Sequence, residues 1–144
     1  MGRFQKLADD FELTKFEFGR FPNQYYIVPE TVEVQGGAKP HKASPVFQGV
    51  SASKLYSDYV PKMVQSKERV KEVGRNDDRR QLVYVCRSKV CRFPDIVILR
   101  VVEVGADSSS LLVYSRSKYG FGDSGVNEAR VTDWVDTLQK LTAE

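Results

Sequence analysis

Residues 111–141 read LLVYSRSKYGFGDSGVNEARVTDWVDTLQKL, and the pattern changes character twice along this stretch. Leu111 to Ser117 is rich in aliphatic and aromatic residues that suit a pleated, half-buried surface, so a strand is expected there. Gly120, Gly122 and Gly125 then fall among polar side chains. Without a Cβ these positions enter the positive-φ region readily, and a tight loop is predicted. Beyond it, Val131, Trp134, Val135, Leu138 and Leu141 share one helical face, with Asn127 as the expected N-cap.

Working upstream, Asp95–Val104 (DIVILRVVEV) is nearly continuous apolar sequence and predicts a buried strand. Gly105-Ala106-Asp107-Ser108 would close it as a hairpin onto the strand at Leu111. Gln81–Ser88 (QLVYVCRS) predicts another strand, preceded by a turn at Asn76-Asp77-Asp78 and an imperfect alternation over Arg69–Arg75. Ser51 can cap a helix whose Ala52, Leu55, Tyr56, Tyr59, Val60, Met63 and Val64 form an apolar stripe. Pro61 falls inside that stripe and should kink it or mark a second, offset turn. Tyr25–Val28 reads as a short strand, Thr31–Val34 as a segment that pairs briefly, and the following stretch to Pro45 as a polar loop. Over residues 1–20, the alternation of Thr14, Phe16 and Phe18 with Lys15 and Glu17 predicts a short strand or an extended segment lying on the core. Together these predict an α+β fold: an antiparallel β-meander with two amphipathic helices covering one face and an extended N-terminal segment. Residues 1–20 read as an extension and 21–144 as a single domain.

Composition narrows the function classes. A chain of 144 residues with 41% hydrophobic and 28% charged residues is an ordinary globular domain. Its net charge of +3 comes from 22 basic against 19 acidic residues, a surplus too small and too dispersed to point to a polyanion. Tyr84 and Tyr114 could stack bases on an exposed sheet face, but no nucleic-acid motif accompanies them, and the charged run Lys67–Arg75 reads as solvated surface. No run of 18 apolar residues exists and the start carries no secretory pattern, so a soluble cytoplasmic or otherwise intracellular protein is expected. Met1-Gly2 would suit myristoylation, but Lys6 stands where a hydroxyl residue is wanted. Cys86 and Cys91, the two cysteines, are expected reduced rather than as a disulfide framework. With His41 they fall short of a zinc set, so neither metal nor cofactor is expected.

In an antiparallel meander the ends of alternate strands share one sheet edge. Arg87, Arg92, Asp95, Arg116, Asp123 and the N-terminus of the last helix are therefore expected to converge, provided the register does not slip by one. Two uses follow. The structural one is a clasp of Asp95, Gly120, Gly125 and Arg130, in which carboxylates and guanidiniums rivet the loop to the sheet. The functional one is a ligand seat. Arg87, Arg92 and Arg116 would supply bidentate donors, Ser115, Ser117 and Tyr119 hydroxyls, and Asp123 and Asn127 further polar contacts beside the helix N-terminus.

These same segments, RS…FPD and YSRSKYGFGDSGVNEARV, resemble domain-of-unknown-function family 1499 (DUF1499). The family pairs an Arg-Ser and Phe-x-Asp segment with S-x-S-x-x-G-x-x-D-x-G-V-N-x-x-R. Here Arg87, Ser88, Phe93 and Asp95 meet the first part. Ser115, Ser117, Gly120, Asp123, Gly125, Val126, Asn127 and Arg130 meet the second. Pro22-Asn23 matches a Pro-Asn near the family's start, while Gln24 stands where many members have Cys, so no role of that thiol carries over. The resemblance covers about residues 20–141 and implies no activity, since the family has no established biochemical role. The expectation is a non-enzymatic binding or interaction module taking an anionic or amphipathic small molecule, or a protein partner. The alternative is an enzyme using Asp95 or Asp123 as acid or base. The G-D-S-G string at 122–125 lacks a histidine partner and the nucleophile-elbow pattern, so no catalytic residue is assigned. Nothing in the sequence specifies an oligomeric state.

Overall fold

The apolar run that predicts a central strand becomes the longest one in the sheet. In the computed structural model, which describes residues 2–20, 23–87, 94–117 and 125–144, β6 (Pro94–Gly105) lies between β5 (Gln81–Arg87) and β7 (Ser108–Ser117), antiparallel to both. β4 (Val70–Asn76) continues the meander antiparallel to β5, with its register shifted between Glu72 and Gly74. The far edge of β7 takes β1 (Asn23–Val28), also antiparallel, and then β3 (Phe47–Gln48). The two-residue β2 (Lys42–Ala43) runs parallel to β1, which makes the sheet mixed. Among the described residues the sheet has seven strands, in the order β2-β1-β7-β6-β5-β4 with β3 beside β7, and the fold is α+β.

Side chains alternate across the pleat and sort the core into two layers. On one face Tyr25, Ile27, Leu82, Tyr84, Val97, Leu99, Leu111 and Val113 pack against the longer helices. One of these begins as α2 (Ala52–Lys54), where the Ser51 hydroxyl accepts from the Lys54 N–H at 3.1 Å. It passes through a π-helical turn, Leu55–Tyr59, and ends as α3 (Val60–Gln65). The proline expected to kink this stripe, Pro61, cannot donate to Ser57 and would crowd its carbonyl, and the wider turn directly before it relieves both. α4 (Val126–Thr142) brings Val131, Trp134 and Leu138 to the same layer, where Trp134 meets Tyr84 edge to face with centroids 5.5 Å apart.

The opposite face is where the reading of residues 1–20 needs correction. Arg3–Asp10 is a helix, α1, and only the chain after it is extended. Alternation at Thr14–Phe18 revealed the second half, but the helical spacing of Phe4, Leu7 and Ala8 was too short a signal to outweigh it. α1 and this segment lay Ala8, Leu13, Phe11, Phe16 and Phe18 over Tyr26, Val83, Ile98, Leu112 and Tyr114. Polar groups fix the helix there. Arg79 donates to the carbonyls of Ala8 and Phe11 at 3.0 Å each, and the Gln81 amide to those of Leu7 and Phe11 at 2.9 and 2.8 Å. A cation thus sits at the negative end of the helix dipole. The Gln5 amide donates to the Arg75 carbonyl (2.7 Å) and accepts from its N–H (3.1 Å), so one side chain occupies the outer edge of β4 as a strand would. Thr31–Val34 forms no strand; Val32 and Val34 pack against this second layer instead.

Candidate functional site

At the end of the sheet where β7 leaves its hairpin partner, the alternation puts Ser115 and Ser117 on the α4 side and Arg116 on the α1 side. The predicted convergence therefore splits. Arg116 lies with its guanidinium 5.8 Å from the Tyr114 ring, in the opposite layer from the serines. Burial pushes the Tyr114 phenol up, with Arg116 acting the other way, and its hydroxyl donates to the Gln24 side chain. A strand carrying S-R-S must divide those three side chains between two faces, and this is the physical reason one anion site cannot collect all of them.

On the α4 side a closed polar network forms. Ser115 donates to Asn127 Oδ1 at 2.6 Å. Asn127 Nδ2 donates to Ser117 Oγ at 2.9 Å and to the Asn23 carbonyl at 3.1 Å. Arg130 Nη1 reaches Asn127 Oδ1 at 3.0 Å, and its Nη2 donates to Asp95 Oδ2 at 2.9 Å, in a pair whose side chains are only 14% and 13% exposed. Asn127 is thus the second residue of the helix rather than its cap. Gly125, with φ of 73°, is the N-cap and has no side chain of its own to offer the first N–H groups. The buried amide staples β1, β7 and α4 together. Arg92, Tyr119, Gly120 and Asp123 lie outside the described residues.

Beside this network, a shallow hollow of about 440 Å³ opens between the β4–β5 end and the first turns of α4. Lys67, Arg69, Arg87 and Arg130 line it, with Cys86, Val126 and Trp134. Lys67 pairs with Asp133 at 2.9 Å and Arg69 with Glu68 at 3.0 Å. Arg130 in turn is paired with Asp95 at 2.9 Å, and the hollow lies beside the N-terminus of α4. Arg69 holds a positive φ of 57°, which costs a residue with a Cβ about 1 kcal/mol and keeps its side chain at this rim. Burial pushes the Cys86 thiol up to about 11, with Asp95 adding and Arg130 subtracting, so the sulfur is a neutral wall and not a nucleophile. Lys67, Arg69 and Trp134 were missed as site residues. Lys67 and Arg69 lie in a charged run, and such runs are commonly just solvated surface, while Trp134 read only as part of the last helix's apolar face.

Tyr84 and Tyr114, the two candidates for base stacking, are both buried and present no ring to solvent. No helix among the described residues is long and apolar enough to cross a membrane, and no group of three or more His, Cys, Asp or Glu is gathered among them. The family model described as a protein of unknown function (DUF1499) matches residues 23–138, from the first residue of β1 into the last turns of α4. No curated protein matches the chain.

Proposed function

The chain belongs to the DUF1499 family, and from this premise and the local geometry we propose that it is a non-enzymatic binding module that seats an anionic group in the hollow beside the α4 N-terminus. The observation that carries the reading is the gathering of Lys67, Arg69, Arg87 and Arg130 on one concave surface. Guanidiniums match carboxylate and phosphate oxygens bidentately, and the positive end of the α4 dipole favours the same charge. Arg130 is held in place by Asp95 and Asn127, so a guanidinium is preorganised at the hollow before any ligand arrives. Trp134 and Val126 add an apolar wall, suiting an anion attached to a small apolar body.

An acid–base role for Asp95 is less well supported, because its carboxylate is spent on Arg130 at 2.9 Å. The test is titration of the protein with phenyl phosphate, benzoate and benzyl alcohol. The two anions should bind saturably, the alcohol should not, and Arg69→Gln and Arg87→Gln should each weaken the anions about 3-fold or more. Equal binding of the alcohol, or no effect of either variant, would overturn the proposal.

A further inference from the structure

The other flank of α4 carries a second concavity of opposite character. A cleft of about 450 Å³ lies between this helix and the β1–β2 edge. Tyr25, Ile27, Val131 and Val135 give it an apolar floor, and exposed Glu30, Asp136 and Lys42 stand at its rim. None of these three charged side chains makes a hydrogen bond or ion pair among the described residues. Asp136 continues an acidic line along α4 that begins at Glu128, two turns earlier on the same side. In a chain of net charge +3, this cleft runs against the overall balance.

A second observation points to a ligand. Tyr25 is only 8% exposed, it lines the cleft, and its hydroxyl has no hydrogen-bond partner among the described residues. The hydroxyl is not among the buried unpartnered atoms, so it is reachable from the cleft and can meet water or a bound group there. Its ring is held flat against His41, with centroids 5.1 Å apart and planes at 24°. The His41 Nδ1 in turn accepts the Tyr26 N–H at 3.1 Å, so the imidazole is locked to β1 and fixes the phenol in place.

We propose that this cleft binds a small organic ammonium ion: an apolar body over Ile27, Val131 and Val135, with its charged nitrogen between Glu30 and Asp136 and within reach of the Tyr25 hydroxyl. The volume matches that of ordinary small-molecule sites, an apolar floor with few polar groups is their usual make-up, and carboxylates with an aromatic hydroxyl are suitable acceptors for N⁺–H donors. The inference does not rest on the anion seat, which uses the opposite flank of α4.

The test uses hexylammonium as the probe, with hexanoate and hexan-1-ol as isosteric controls, read by saturation-transfer NMR and calorimetry on the full chain. Hexylammonium should bind saturably with a Kd of about 1 mM or tighter. Hexanoate should bind less tightly than hexan-1-ol, since it brings like charge to the rim. Asp136→Asn and Glu30→Gln, both at exposed positions, should each weaken hexylammonium about 2- to 5-fold. Thr132→Trp, which fills the cleft from α4, should abolish binding. Hexanoate binding as well as hexylammonium, binding that survives Thr132→Trp, or no saturable binding by hexylammonium would each overturn the proposal.

Discussion

Asn127 illustrates how a single side chain can look like a cap and act as a staple. Its amide has four hydrogen-bonding directions, and serine hydroxyls, the Asn23 carbonyl and Arg130 meet them in a buried setting. Asn127→Ala would leave the Asn23 carbonyl and Ser117 short of a donor, and should cost about 2 kcal/mol in urea unfolding. Asp95→Asn removes the charge facing Arg130 while keeping the shape. It should cost about 2 kcal/mol, the lower end for a broken buried pair because both side chains keep some exposure. A loss below about 0.5 kcal/mol in either variant would show a network with little energetic weight. Cys86 supplies a pH dependence whose sign is fixed. Its thiol rises from 9.0 to about 11 on folding, so the fold prefers the protonated form. That contribution is complete below pH 9 and is lost as pH climbs towards 11, at up to about 1.4 kcal/mol per pH unit. Tyr26, pushed up to about 12 by burial and then by Glu12, acts in the same direction at higher pH. Urea midpoints should therefore fall between pH 9 and 11, and Cys86→Ala should flatten the first part of the decline.

At the scale of elements, the close approach of α1 to β4 depends on Gly74. A Cβ built there would lie 2.6 Å from the Phe4 carbonyl oxygen, a backbone atom that cannot move aside. Gly74→Ala should displace α1, lowering stability by about 2 kcal/mol or more and exposing residues 3–10 to limited proteolysis while the sheet stays protected. Unchanged cleavage at α1 would refute this docking. The meander itself was legible because its strands are long, apolar and β-branched, and the helices of residues 51–64 and α4 because their apolar residues recur at helical spacing over several turns. α1 was not, since eight residues with charges on both sides give too short a period to read. The site was half legible. Ser115, Asn127, Arg130 and Asp95 were all singled out, but the S-R-S alternation that sends Arg116 to the other face is visible only once the register is known. Lys67 and Arg69 reach the hollow through a turn and a positive φ that no period encodes.

For the whole molecule, the sheet is sandwiched between α2, α3 and α4 on one side and residues 3–20 on the other. Removing residues 1–20 would uncover Val83, Ile98, Leu112 and Tyr114, all buried in the second layer. Each fully buried side chain of this kind contributes about 1.5–3 kcal/mol, so the loss rivals the entire stability of a domain this size. The truncated chain should bind hydrophobic dyes and aggregate; a monomeric, cooperatively unfolding product would contradict that layer's importance. The two faces of α4 also divide the proposed chemistry, cationic towards β4 and β5 and acidic towards β1 and β2. The central claim is the cationic seat, and the chain's single tryptophan, Trp134, lines it. The most direct measurement is Trp134 fluorescence during titration with phenyl phosphate at constant ionic strength. A saturable change that is lost when Arg69→Gln and Arg87→Gln are combined is the predicted result. A flat titration, or an identical curve in the double variant, would contradict the account.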